Sequence, residues 1–400
     1  SALLTSVGLL GLVAPVVAQV TDCTRGEFAS YNSESDVGDR STFSLSQDYP
    51  IDLPPVEQYP WLKIDVVNDA PTDPRAYVQA MLDFGLAGNV EVDWVVQDNT
   101  ARDWYHIPWM HWGPDGREFT HGLTHELDAK PGQLGDAQTD PSQTWAVSII
   151  NDRGAWGVGQ VWCDPNDPDA NLLNPNNNEP NWFPDGSAQI KLLFGTATDD
   201  QVPWLSGTFE WDADIYVDDQ STRKPVDPDD PNSSPARAIE TVRLLQVDVA
   251  VRDSRFATGW AFGTFLYNAD SPGATPWEKL TPVGLQWGND PGITKEMVDT
   301  GVYELAESWI NDDIRDLPCN HLGWGGRLAG PLDSPVSSCM SCHMTAGQPS
   351  AQILPELQFN AFPTEPPLAE AQRLNWFQNV PAGVPFADNQ TASLDYSLQL

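Results

Sequence analysis

Basic residues are scarce in this chain of 400 residues: 6 lysines and 14 arginines face 57 acids. The formal charge of −37 excludes nucleic acid and an anionic membrane surface as partners, since both require clustered bases. Of the acids, 41 are Asp and 16 are Glu, a surface of short, well-hydrated carboxylates suited to high salt, where screening removes most of the self-repulsion. Long apolar runs are also missing. After the first twenty residues no segment approaches 18 apolar positions, so no membrane span is expected. What is abundant is aromatic. With 17 Trp and 40% hydrophobic residues, a mostly disordered chain is excluded, and one large domain or two ordinary ones can bury a core.

The opening stretch, Ala2 to Ala18, is apolar, too short to span a bilayer comfortably, and ends in small residues. It fits the apolar region of a secretory signal at 1–19, cleaved after Ala18 or Gln19, and predicts a periplasmic or otherwise exported protein. A buried N-terminal helix is the alternative, which Gly8, Gly11 and Pro15 disfavour. Asp22 stands where a lipidated Cys23 would need a small neighbour. An oxidising compartment permits disulfides. Cys23, Cys163 and Cys319 allow three single bridges, of which Cys163–Cys319 is preferred because both residues fall in the ordered body.

The other two cysteines carry the chemistry. Residues 339–343 read Cys-Met-Ser-Cys-His, the C-x-x-C-H pattern of haem attachment. Two thiols on one helical turn can reach the two vinyl groups of one porphyrin, and the next residue sets an imidazole beneath the iron. His343 is then the proximal ligand. A zinc half-site would want a second ligand pair, for which Cys319-Asn320-His321 is poor. A redox dithiol would want a preceding strand, where Ser334-Pro335-Val336-Ser337-Ser338 stands instead.

On Cys339, Cys342 and His343 the chain resembles the exported bacterial c-type cytochromes that carry a single haem. That resemblance covers only the motif. It implies one covalent haem c, electron transfer and delivery by the secretory route. In the small soluble cytochromes the motif lies near the N-terminus and a downstream Met supplies the second axial bond. Here 57 residues follow His343, and the sole Met among them is the adjacent Met344. The helical-bundle cytochromes do carry a C-terminal motif, but the upstream sequence here is strand-like. A single C-x-x-C-H excludes multihaem wires and two-haem peroxidases.

The second axial ligand must therefore come from upstream, or the site stays open. His106, His111, His121 and His125 cluster among Trp104, Tyr105, Trp109 and Trp112. His106 and His121 rank first: His106 is boxed by Tyr105, Ile107 and Pro108, and His121 precedes Gly122, where backbone can approach a flat cofactor. A hydrogen-bonded structural histidine is the competing reading for each. Met110 and Met297 are lesser candidates, since a lone Met is more often core filler. Arg327 is a candidate partner for a haem propionate, against an ordinary surface arginine. Asp164, Asp167, Asp169 and Asn171 lack the Gly and Glu of a calcium loop and read as a solvated acidic loop.

Strand periodicity dominates the middle of the chain. Phe209 to Val217 alternates, Val242 to Arg252 repeats the pattern with Leu245, Val247, Val249 and Val251 inward, and residues 259–267 form its hairpin partner. Further strands are expected at 90–97, 143–150, 155–162, 188–196 and 280–288, and helices at 73–86, 295–311 and 366–378. The expected fold is mainly β with some α: an antiparallel, sandwich-like or curled β body with an irregular, partly helical haem-binding C-terminal segment. The expected division is a signal peptide at 1–19, an extended segment at 20–72, a β body at 73–290 and a haem region at 291–400 packed on it.

Electron transfer is the leading function. A haem enzyme with an open distal site, acting on a small oxidant or nitrogen compound, is the alternative; its β-rich body and C-terminal motif resemble the hydroxylamine-oxidising cytochromes in architecture only. A β-sandwich binding module with a redox haem is a third reading. From residue 291 onward there are 13 acids and 4 bases, so a basic redox partner protein is expected, steered best at low salt.

Overall fold

A computed structural model describes residues 45–107, 118, 120–164, 167–173, 182–216, 237–314, 317, 319, 322–350 and 370–398. The expected signal peptide, Cys23, Met110, His111 and His321 lie outside the described residues. Thirteen strands are found among the described residues, in chain order: β1 (Val66–Val67), β2 (Ala70–Pro71), β3 (Trp104–His106), β4 (Thr124–His125), β5 (Thr144–Asn151), β6 (Ala188–Gly195), β7 (Glu210–Tyr216), β8 (Arg237–Arg252), β9 (Trp260–Tyr267), β10 (Leu280–Gln286), β11 (Ser308–Ile310), β12 (Gly347–Gln348) and β13 (Ala392–Ser393). Nine of them form one sheet in the order β11-β10-β9-β8-β6-β5-β3, with β4 beside β5 and β7 beside β8. Its pairings are all antiparallel. The fold is mainly antiparallel β with few helices, and its body is a single nine-stranded sheet.

Pairing register gives the sheet two unlike faces, because directly opposed residues in neighbouring strands point the same way. One row reads Ile149, Ile190, Val249, Gly263 and Leu285 from β5 to β10. Against it packs α1 (Pro74–Leu86), started by Asp73, whose side chain accepts from the Ala76 N–H, and by Pro74 in the first turn. The buried face of α1 carries Tyr77, Val78, Met81, Leu82, Phe84 and Gly85. Two glycines let helix and sheet touch: a Cβ at Gly263 would stand 2.3 Å from Val78 Cγ2, and one at Gly85 would stand 2.7 Å from Ile190 Cδ1. Outside α1, Trp61 stacks on Tyr59 at 5.0 Å and meets the edge of Phe84 at 5.1 Å.

The next row, one residue along each strand, reads Ser148, Lys191, Asp248 and Thr264 on the other face. Beside it run Ile150, Gln189, Ala250, Phe262 and Gln286. No strand layer covers this face among the described residues. The C-terminal region does, and it also contributes β11 to the sheet edge, so the sheet crosses the expected boundary at residue 290.

Three expected elements differ. Residues 155–162 form a helix, α2 (Asp152–Val161), where the Asn151 side chain caps the Gly154 N–H at 3.2 Å. Its Gly154, Gly157 and Gly159 imitate strand alternation in sequence, yet they allow a helix buried on every side: a Cβ at Gly157 would meet Phe183 at 2.8 Å. Residues 90–94 are turns, and a short 3-10 helix follows at Val96–Asp98. Within 295–311 only α3 (Lys295–Thr300) is helical, because Gly301 ends it in a left-handed conformation and the chain leaves for β11.

Leu82 is 1% exposed at the centre of the α1 contact. Leu82→Ala is expected to cost about 2–5 kcal/mol in denaturant unfolding, as a cavity opens between helix and sheet. Glu91→Ala, on the exposed surface, should stay within about 0.5 kcal/mol.

Candidate functional site

Residues 339–343 fold into α4 (Cys339–His343), a single helical turn. Ser338 starts it with a capping box: its Oγ accepts from the Ser341 N–H at 3.1 Å, and Ser341 Oγ accepts from the Ser338 N–H at 2.9 Å. The turn is anchored to β10, since Gln286 Oε1 accepts from the Met340 N–H at 3.2 Å and Gln286 Nε2 donates to Ser338 Oγ at 3.3 Å. Met340 and Ser341 are buried beneath it. Positions i, i+3 and i+4 share a helix face. Accordingly, Cys339, Cys342 and His343 all open onto one cavity of about 330 Å³.

The imidazole is held in one orientation. His343 Nδ1 lies 2.8 Å from the Tyr396 carbonyl oxygen, so Nδ1 carries the proton and donates it, and Nε2 keeps its lone pair. Phe262 of β9 packs against the ring at 4.8 Å between centroids. Burial lowers the His343 pKa, which keeps the ring neutral, although the Tyr396 bond works the other way. Both thiols are free. Burial pushes Cys342 up to about 11 and Cys339 well above its usual value, with Asp333 and Asp248 adding to the Cys339 shift. Ser337 Oγ lies 2.9 Å from Cys342 Sγ, and Thr264 Oγ1 lies 3.9 Å from Cys339 Sγ.

The cavity extends from α4 over the polar face of the sheet, across β9, β8 and β6. Lys191 on β6 is paired with Glu126 at 2.7 Å, and both line it. Asp248 and Asp333 line it too. Sequence reasoning missed these four residues. Lys191 and Asp248 interrupt strands in the phase opposite to the apolar residues, a pattern that ordinarily marks a solvent-facing side.

The other expected site residues lie elsewhere. His106 stands opposite Ile149 in the β3–β5 register, so it points to the α1 face of the sheet. Its Nδ1 accepts from the Ser46 N–H at 2.9 Å. His121 stacks on Trp211 at 4.3 Å, and its Nε2 lies 3.2 Å from the Asp212 carbonyl. His125 pairs with Asp128 at 2.9 Å and packs between Trp145 and Tyr216. Neither His106, His121 nor His125 lines the cavity beside His343, and Met297 on α3 does not either. Both leading candidates for a second axial ligand are therefore packed into other parts of the fold.

Arg327 is fully buried and is no surface arginine. It donates to the carbonyls of Asn289 at 2.7 Å, Trp324 at 2.9 Å and Asp290 at 2.9 Å, and its guanidinium lies 4.2 Å from the Phe377 ring. It does not line the cavity. The side chain clamps two backbone segments, Asn289–Asp290 and Trp324, instead of reaching toward a propionate.

Cys163 is disulfide-bonded, whereas Cys319 is a buried free thiol. The expected Cys163–Cys319 bridge is thus not formed, and the partner of Cys163 lies outside the described residues. Among the described residues no group of three or more His, Cys, Asp or Glu is arranged to hold a metal ion, and no helix is long and apolar enough to cross a membrane.

Ser338→Ala removes the cap of α4, and a loss of about 0.5–2 kcal/mol is expected in denaturant unfolding, with Ser338→Thr retaining most of it. Compared with known proteins, the chain matches no family model, no curated protein and no solved structure.

Proposed function

We propose that this protein is an exported c-type cytochrome that holds one haem c covalently and acts in electron transfer. One observation carries the reading: two free thiols and a pre-oriented imidazole on a single helical turn face the same cavity. The residues fit the group. Cys339 and Cys342 would form its two thioether bonds, and His343 Nε2, left unprotonated by the Tyr396 bond, would be the proximal ligand. The cavity volume falls in the ordinary range for cofactor sites, about 300–1,000 Å³. When bound, haem supplies a one-electron ferric–ferrous couple. The chain's own part is to fix the proximal ring through Tyr396 and Phe262 and to keep that face apolar.

The Cys163 disulfide supports an oxidising, exported setting. The formal charge of −37 supports a redox partner protein with a basic face, drawn in more strongly at low salt.

A second reading has its own support. The cavity is lined by no histidine other than His343 and by no methionine among the described residues. That favours an iron with an open distal position and chemistry on a small oxidant or nitrogen compound.

Haem retained on the chain in a denaturing gel, with a matching mass increase, is the expected result for the wild type. Both are expected to disappear in the Cys339→Ser/Cys342→Ser double variant. His343→Ala should shift the visible spectrum of the attached haem, whereas His106→Ala and His121→Ala should leave it unchanged. Absence of covalent haem from the wild type overturns the proposal. Added carbon monoxide or cyanide separates the two readings: altered bands favour the open site, and unaltered low-spin bands favour the carrier.

A further inference from the structure

We propose that Asp248 and Asp333 share one exchangeable proton and are the proton-binding site of the redox centre, taking a proton from solvent on reduction and releasing it on oxidation. This rests on the haem reading of the cavity and adds to it.

The geometry is a pair of carboxylates meeting on one donor. Gln246 Nε2 lies 2.9 Å from Asp248 Oδ1, 3.0 Å from Asp248 Oδ2 and 3.2 Å from Asp333 Oδ2. Thr264 Oγ1 donates to Asp248 Oδ1 at 2.8 Å, and the Gly330 N–H donates to Asp333 Oδ2 at 2.6 Å. Asp248 comes from the middle of β8 and Asp333 from the loop before α4, so the sheet and the haem-binding segment each contribute one acid. Two carboxylates gathered on one amide resist joint ionisation, and one proton taken up by the pair relieves the repulsion.

The surrounding charges leave the pair without a full counter-ion. Lys191, next to Asp248 in register, is the only lysine or arginine lining the cavity among the described residues. It is already tied to Glu126. The remaining titratable residues lining the cavity are Cys339, Cys342, His343 and Tyr396, which burial holds in their neutral forms. Burial, reinforced by the charge of Asp333, pushes Asp248 up to about 7, and burial raises Asp333 as well.

Coupling to the iron follows from position. Thr264 touches Asp248 on one side and Cys339 on the other, so the acid pair stands one side chain away from an attachment sulfur. Reduction removes one unit of positive charge from the haem core, which raises the proton affinity of nearby carboxylates. One electron arrives from a one-electron donor protein, and one proton arrives from water. The only bond formed is O–H on a carboxylate oxygen.

The test uses the purified haem-bearing protein, with covalent attachment first checked by mass. Its midpoint potential is then titrated spectroscopically from about pH 5 to pH 9. The wild type is expected to lose potential with rising pH around neutrality, approaching about 59 mV for each tenfold fall in proton concentration. Asp248→Asn and Asp333→Asn, made separately so that one folding failure is not decisive, should each flatten that slope with the haem retained. Proton uptake on reduction, read with a pH dye in weakly buffered wild type, should approach one per haem and give the same answer without any variant. Haem present with a potential independent of pH, or a slope unchanged in the Asn variants, overturns this proposal alone. A chain that carries no haem overturns the reading beneath it, and the mass shows which of the two has failed.

Discussion

Alternation along the paired strands β5, β6, β8 and β9 keeps two incompatible environments a few ångströms apart. Ile149, Ile190 and Val249 meet a helix on one side, while Lys191 and Asp248 line a cavity on the other. A shift of one residue in any of these pairings would turn a strand's charges under α1 and its aliphatic residues into the cavity. The long antiparallel register, not any single contact, is therefore what separates scaffold from site. Gly263 and Gly85 sharpen that division, because the close approach of α1 that they permit fixes which face is closed by a helix.

The turn α4 depends on this arrangement at second hand. Gln286, in the same row as Phe262, seats α4 through its amide. Phe262 lies against the His343 ring. Arg327 works farther back, joining the segments around Asn289 and Trp324 under the aromatic ring of Phe377. Such a buried guanidinium is costly to hold, and burial draws it down to about 10, but three carbonyl partners offset that cost.

Much of this was legible from the sequence, and the parts that were not have a common cause. The strands at 143–150, 188–196, 242–252, 259–267 and 280–288 were readable as short runs rich in apolar residues and bounded by turn residues, although β5 and β9 are buried along their full length. The C-x-x-C-H turn was readable because its spacing is local. α2 was not, since a helix buried all round has no periodic face and its glycines imitate alternation. The placement of His106 and His121 away from the cavity was not legible for a different reason: local composition says nothing about which side of a sheet a side chain faces. That depends on the pairing with β5, and such pairings are not written in the neighbouring residues. The charged lining of the cavity was hidden likewise, since a mid-strand Lys or Asp looks the same whether it faces water or an enclosed space.

Tyr396 introduces a final consequence. The carbonyl that selects the imidazole tautomer lies 53 residues beyond His343, on a segment joined to α4's surroundings by the short β12–β13 pairing. The pentapeptide brings two thiols and an imidazole onto one turn, but it cannot decide alone which ring nitrogen carries the proton. Placement of the two thiols and the imidazole is thus a property of local sequence, whereas the choice of ring tautomer is a property of tertiary closure.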